Sequence, residues 1–270
     1  MTYFEAFLYG AVQGVTEYLP ISSSAHLILL PKFLGTKDPG LTFDVFLHLG
    51  TLMSTLLYFW SDWRKIIAGV PGIGPAFGKP GKKGETLPWT YIVIGTIPAL
   101  VAGAGLHHWV ETAFRGNAVL VTTLVVGGLA LLAADQFVPA KRTLGQAKLK
   151  DAVWIGLAQC LALIPGMSRS GSTMMGGRLL GFDRASAARF SFLLSAPVTA
   201  AALVFELRNW GEVTSSGVGS GQLALAGLSS FVFGCLAIGG LLRLIRRFGY
   251  LSFAVYRVLL AVTIWQVLGI

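Results

Sequence analysis

Ser22, Ser23, Ser24 and His26 stand within five residues of one another. A serine hydroxyl attacks phosphorus only when a base or a strong field acts on it, and His26 is close enough in sequence to be acid or base. The plainer reading is that one serine caps a short helix starting near Ala25 while the histidine is hydrogen-bonded in a crowded interior. Upstream, Gln13 and Glu17 are four apart and share a helix face. One carboxylate and one amide make a weak cage alone. With substrate phosphates added they suit Mg2+ or Ca2+, which take oxygen ligands. The competing reading of Glu17 is a buried, protonated carboxyl packed on a neighbouring helix. Far along the chain, Arg169 sits among Ser168, Ser170 and Ser172. Its guanidinium fork suits phosphate oxygens. An arginine inside an apolar chain is costly without a partner, so the alternative is a structural ion pair with Glu17. Asp44 and His48, four apart at the start of an apolar run, can line the same cavity.

These polar clusters are embedded in an apolar chain. Mean hydropathy is +0.69 and only 12% of the 270 residues are charged, about half the share usual in a soluble domain. The formal charge of +9 does not point to nucleic acid, because the bases sit in short loops between apolar runs. Cys160 and Cys235 lie inside apolar stretches, with neither disulfide nor metal spacing. Met1–Leu19 has no basic n-region and carries Glu5, Gln13 and Glu17, so it is expected to be retained as a helix rather than cleaved.

A membrane helix needs about 20 mostly apolar residues for roughly 30 Å of hydrocarbon. Six runs qualify: about 41–60, 88–108, 117–138, 184–206, 221–243 and 249–270. Arg64, Lys65, Lys79, Lys82 and Lys83 lie in loop 61–87, Lys141, Arg142, Lys148 and Lys150 in loop 139–150, and Arg243, Arg246 and Arg247 in a turn at 243–248. The alternate loops hold little beyond Lys37, Arg115 and Arg208. The base-rich set is therefore expected in the cytoplasm.

Two segments do not fit as spans. Residues 1–34 are broken at Pro20 and the serines, and the piece Ala25–Leu34 reaches only about 15 Å at 1.5 Å per residue. Residues 151–181 are broken at Pro165–Gly166 and the knot around Arg169. Both read as re-entrant helix-loop-helix hairpins, since irregular backbone at membrane depth survives only inside protein or along a wet cavity. The fold expected is an all-α polytopic membrane protein of six transmembrane helices plus two re-entrant hairpins. It forms a single domain as an inverted repeat: residues 1–138 with hairpin 1–34, and residues 139–270 with hairpin 151–181. Gly10-x-x-Gln13 and Gly156-x-x-Gln159, each followed by a proline and serines, carry the repeat. With one hairpin entering from each side the tips meet near the middle. Each tip precedes a short helix whose N-terminus favours anions, so the pair with Arg169 makes a phosphate site.

The stretch Gln13-Gly-Val-Thr-Glu17-Tyr-Leu-Pro20-Ile-Ser22-Ser23-Ser24-Ala-His26 resembles the first signature of the undecaprenyl-pyrophosphate phosphatase family, the bacitracin-resistance type. Pro165-Gly-Met-Ser168-Arg169-Ser170-Gly-Ser172-Thr173 is similar to its second signature. The resemblance implies a hydrolase of the bacterial cytoplasmic (inner) membrane with its site open to the outer, periplasmic side. Its reaction turns undecaprenyl pyrophosphate into phosphate and undecaprenyl phosphate, the lipid carrier of cell-wall precursors. It also implies a divalent cation, Mg2+ or Ca2+. On that resemblance Glu17 binds metal or serves as base. Gln13, where many members have Glu, supports the metal or a water. Ser23 is the nucleophile, with His26 as acid/base or as an alternative nucleophile. Arg169 clamps the pyrophosphate, helped by Ser168, Ser170 and Thr173, with Ser22 and Ser24 beside the nucleophile. The partners are the lipid substrate and membrane lipid, with no nucleic acid; a homodimer is left open. A lipid-phosphate flippase is the second reading, because broken helices in inverted repeats are also a transporter plan. A nucleophile beside an acid/base is what transport alone does not need.

Overall fold

A computed structural model describes residues 1–82, 85–112, 116–206 and 218–269, the side chains of Pro75 and of 106–112 excepted. Lys83, Arg115 and Arg208, part of the loop-charge reading, lie outside the described residues. Eleven α-helices and no strands make up the regular structure among them. In chain order they are α1 (Tyr3–Tyr18), α2 (Ser23–Leu34), α3 (Leu41–Tyr58), α4 (Trp60–Ala68), α5 (Trp89–Thr112) and α6 (Asn117–Phe137). After these come α7 (Leu149–Cys160), α8 (Arg169–Leu179), α9 (Arg184–Glu206), α10 (Ser220–Phe248) and α11 (Leu251–Leu268).

By length and composition five helices suffice to cross a membrane: α3, α6, α9, α10 and α11. α5 has 24 residues and is apolar through Gly105. The chain is thus a helical membrane protein. α10 runs on to Phe248, so Arg243, Arg246 and Arg247 occupy its last turns and not a separate turn as expected. Arginine is a good helix former and is favourable at the negative end of the helix dipole. Gly249, at φ 69°, makes the break instead. α4 is a further helix, inside the loop expected at 61–87.

The packing is that of helices in lipid. Outward faces carry Val93, Ile97 and Val101 on α5, Leu228, Val232 and Leu236 on α10, and Val255, Leu259 and Val262 on α11. Inward seams are lined with small residues, because helices that gain nothing from leaving oil must approach closely to gain dispersion. α1 lies along α10 at Gly10 and Gly14: a Cβ there would fall 2.1 Å from Ala226 O and 2.5 Å from Ser230 O. α7 lies along α5 in the same way, a Cβ on Gly156 falling 2.4 Å from Gly95 O. Ser229 and Ser230 on α10 donate to the carbonyls of Phe7 and Leu47 on the helices they touch.

α1 folds back on α2, and α7 on α8. None of the four reaches 30 Å; α1, the longest at 16 residues, spans about 24 Å. At the base-rich end, Asp135 sits in the last turn of α6. It is buried and accepts from both Arg178 (3.0 Å) and Arg184 (2.8 Å), tying α6 to α8 and α9.

Candidate active site

Pro20 ends α1 and Pro165 ends the turn after α7, since proline cannot continue a helix. Each break leads to a serine in the left-handed region, Ser22 at φ 72° and Ser168 at φ 68°. They are the two non-glycine residues with positive φ among those described. Such backbone is strained for L side chains and concentrates at functional sites. Each serine is the N-cap of its tip helix, α2 or α8. Ser168 Oγ accepts from Gly171 N at 3.1 Å. Ser22 and Ser24 hydroxyls pair at 3.1 Å, as do those of Ser168 and Ser170.

The first residues of the two tip helices, Ser23 and Arg169, converge on Glu17. Ser23 Oγ donates to Glu17 Oε2 at 2.7 Å. Arg169 Nη2 donates to Oε1 at 2.5 Å. Gln13 Nε2 donates to Oε2 at 3.1 Å, and His48 Nε2 lies 3.5 Å from the same oxygen. Glu17 is 6% exposed, so a carboxylate there needs these donors. The ion pair with Glu17, the alternative reading of Arg169, is present, while Nη1 of Arg169 stays buried and without a partner.

Glu17, Ser23, His48 and Arg169 line one cavity of about 290 Å³. Glu17, Ser22, Ser23, Ser24, Ser168 and Arg169 form its polar wall, joined by Asp44, His48 and Gln159. Leu41, Val45, Leu163, Val198 and Ala202 are among its apolar lining.

Four expected site residues, Gln13, His26, Ser170 and Thr173, are not among the lining. His26 turns away to an apolar groove with Ile21 and Tyr256. Its Nδ1 lies 2.7 Å from Ser22 O and its Nε2 2.7 Å from Tyr256 Oη. A carbonyl only accepts, so Nδ1 carries the proton and Nε2 accepts from the phenol. Both ring nitrogens are committed outside the cavity. Ser170 donates to Leu19 O at 3.0 Å and so ties one tip to the other. Thr173 is fully buried, donating to Arg169 O at 2.8 Å and paired with Ser191 Oγ at 2.6 Å.

The family model described as "Bacitracin resistance protein BacA" matches residues 6–263. The chain belongs to that family. Among BacA-family relatives, proteins named undecaprenyl-diphosphatase from Gemmatimonas aurantiaca, Geobacter sulfurreducens and Idiomarina loihiensis are 44%, 45% and 39% identical to it. The alignments cover 100%, 96% and 98% of this chain and 99%, 96% and 98% of the respective relatives.

In this BacA-family chain the largest omission of sequence reasoning is Arg257. It is fully buried on α11 and has only carbonyls for company. It donates to Leu124 O (2.9 Å), Thr123 O (3.0 Å), Gly166 O (2.9 Å) and Pro20 O (3.4 Å). One guanidinium therefore pins both tip loops to α6. Gly127 and Gly128 make room: a Cβ on Gly127 would fall 2.4 Å from Arg257 Nη2. An isolated arginine in an apolar helix was the available signal, by the same rule that singled out Arg169.

The donors around Glu17 also bear on a cation. No group of three His, Cys, Asp or Glu able to hold a metal occurs among the described residues. Gln13 Oε1 and Asp44 Oδ1 are nevertheless buried without partners, and Asp44 lines the cavity with Glu17 and the serines. Oxygen atoms of this kind are the ligands that a hard cation takes.

Proposed function

We propose that this chain hydrolyses undecaprenyl diphosphate to undecaprenyl phosphate and inorganic phosphate, recycling the lipid carrier of cell-wall precursors and thereby conferring bacitracin resistance. The names of its full-length relatives support the activity over the flippase alternative. The observation that carries the chemistry is one buried carboxylate, Glu17, with the Ser23 hydroxyl on one oxygen and the Arg169 guanidinium on the other.

In this reading Ser23 Oγ attacks the terminal phosphorus and gives its proton to Glu17 Oε2. The bond from that phosphorus to the bridging oxygen breaks, Glu17 passes the proton on to the departing phosphate, and undecaprenyl phosphate leaves. Water then attacks the phosphoserine phosphorus and gives a proton to the again ionised Glu17, which returns it to Ser23 Oγ as the bond from Oγ to phosphorus breaks and inorganic phosphate is released. Phosphoryl transfer depends chiefly on positioning and charge neutralisation. Arg169 and the N-termini of α2 and α8 supply positive potential. A bound Mg2+ or Ca2+ would neutralise phosphate charge, held by Glu17 with Gln13 and Asp44 nearby. His26 becomes a positioning residue for the Ser22 turn rather than the acid/base first expected.

The membrane arrangement proposed is six spans, with α5 the sixth, and two re-entrant hairpins, α1–α2 and α7–α8. The pairing of α1 with α10 and of α7 with α5 supports an inverted repeat of 1–138 and 139–270. So does the constant offset that relates Gly10, Gln13, Ser22 and Ser24 to Gly156, Gln159, Ser168 and Ser170. The cavity draws on Leu41 at the start of α3 and Ala202 near the end of α9. That is the end away from the base-rich connections, so the site faces the periplasm by the positive-inside bias.

The test is phosphate release by purified protein from undecaprenyl diphosphate in detergent. Turnover by wild type and its loss in Ser23→Ala are expected. Full turnover by Ser23→Ala rejects the nucleophile. Binding and transbilayer movement of the lipid without phosphate release favours a flippase.

A further inference from the structure

Gln159 is 2% exposed near the end of α7, and neither its Nε2 nor its Oε1 has a hydrogen-bond partner. More than nine in ten buried polar groups are paired, so two orphans on one side chain call for a ligand. Gln159 lines the cavity that holds Glu17, Ser23 and Arg169. Nη1 of Arg169, which lines the same cavity, is orphaned too.

The repeat explains why this amide is free. Gln13 and Gln159 hold matching positions in the two hairpins. Gln13 commits its Nε2 to Glu17, four residues on. Four residues beyond Gln159 stands Leu163, which also lines the cavity. One hairpin thus carries the base and an amide that serves it. The other carries an amide with no carboxylate to serve.

We propose that Gln159 is a substrate-binding residue, its Nε2 donating to pyrophosphate oxygens beside the free Nη1 of Arg169. This assignment rests on the diphosphatase reading above. The second hairpin then grips the headgroup with one charged and one neutral donor, while the first presents hydroxyl and carboxylate. A neutral amide adds hydrogen bonds without a further full charge, so it tightens substrate binding without trapping released phosphate.

The experiment compares wild type, Gln159→Met and Gln159→Glu in detergent. Methionine keeps the length and removes both polar groups. Glutamate keeps the shape and replaces donors by acceptors that repel phosphate. The expected result is a KM for undecaprenyl diphosphate raised about tenfold in the Met variant, the worth of one good hydrogen bond to an anion. The rise is larger in the Glu variant, and kcat stays within about threefold of wild type in both. Affinity for inorganic pyrophosphate, measured by titration calorimetry, falls in parallel. With no protein hydrogen bond to lose, Gln159→Met melts at or above the wild-type temperature. A lowered melting temperature with unchanged KM and unchanged pyrophosphate affinity marks a structural role and overturns the assignment. Absence of lipid turnover by wild type refutes the diphosphatase reading alone. The pyrophosphate titration then still decides Gln159, equal affinities of wild type and both variants overturning it.

Discussion

Glu17 and Arg169 meet across the tips of two separate hairpins, Oε1 to Nη2 at 2.5 Å, while Ser23 holds the other carboxylate oxygen at 2.7 Å. The carboxylate is thus shared between the hydroxyl it would deprotonate and the cation that would bind the phosphate. Removing either partner also changes the other. Glu17→Gln is expected to lower kcat by about 10²–10⁴, the range for a lost general base. Arg169→Lys keeps charge but loses the fork, and is expected to cost about 10²–10³. The double variant should fall well short of the product of the two losses, because coupled groups are not additive. Phosphate-release kinetics of the three variants check this; full additivity would mean that the pair does not act as a unit.

His26 and Tyr256 share one hydrogen bond, and His26 braces the strained Ser22 turn through the Ser22 carbonyl. His26→Ala is expected to lower turnover about 10–100-fold, a range compatible with displacement of the reacting groups. Tyr256→Phe should reproduce a smaller part of the loss. If His26 instead exchanged protons with substrate, Tyr256→Phe would leave turnover at the wild-type value, since Tyr256 touches no part of the cavity.

Arg257→Met leaves the carbonyls of Pro20, Thr123, Leu124 and Gly166 without this donor. Thr123 O and Leu124 O keep their helix bonds in α6, so at ~1–3 kcal/mol for each buried acceptor left unpaired the two loop carbonyls put the expected destabilisation at about 2–6 kcal/mol. Arg257→Lys keeps the charge but cannot reach several carbonyls at once, and should recover part of it. Thermal unfolding in detergent measures both, and equal melting temperatures for all three proteins would contradict the pinning role.

The glycine seams predict a contrast in packing. Gly14→Ala and Gly156→Ala each drive a Cβ to within 2.5 Å of a backbone carbonyl oxygen on the neighbouring helix, and overpacking of this kind costs ~1–3 kcal/mol. Gly240→Ala on α10, where a Cβ meets nothing within 4 Å, should be neutral or slightly stabilising. The three melting temperatures decide it.

Chelation should abolish turnover, and Mg2+ or Ca2+ should restore it. Asp44→Asn, which leaves Glu17 in place, is expected to raise the cation concentration needed for half-maximal activity several-fold, as loss of one charged oxygen ligand does. An unchanged cation requirement would remove Asp44 from the set.

Much of this molecule is written in local sequence. Run length against the thickness of hydrocarbon gave the helices α3, α6, α9 and α11 to within a few residues. The breaks at Pro20 and Pro165 marked the tips, and the spacing of Gln13 and Glu17 put both on one face of α1. These are short-range properties: helical period, proline geometry, and the cost of a polar group in an apolar run. The end of α10 was misjudged because arginines are compatible with both a helix C-terminus and a polar turn, and only Gly249 separates the two.

What tertiary structure alone decided is which side chain of each tip faces inward. Ser23 and His26 lie one turn apart on α2, a spacing that would let both face Glu17, yet Ser23 reaches Glu17 and His26 turns to Tyr256. The choice belongs to the rotation of α2 about its axis. That rotation is set by Ala25 and Leu29 packing on Leu120 and Leu124 of α6 and on Leu260 and Ala261 of α11, contacts between segments more than ninety residues apart. The same long-range packing brings Arg257 to Pro20 and Gly166, and leaves Gln159 facing the cavity without a partner. Spacing along a helix fixes which residues share a face; only the neighbours fix where that face looks.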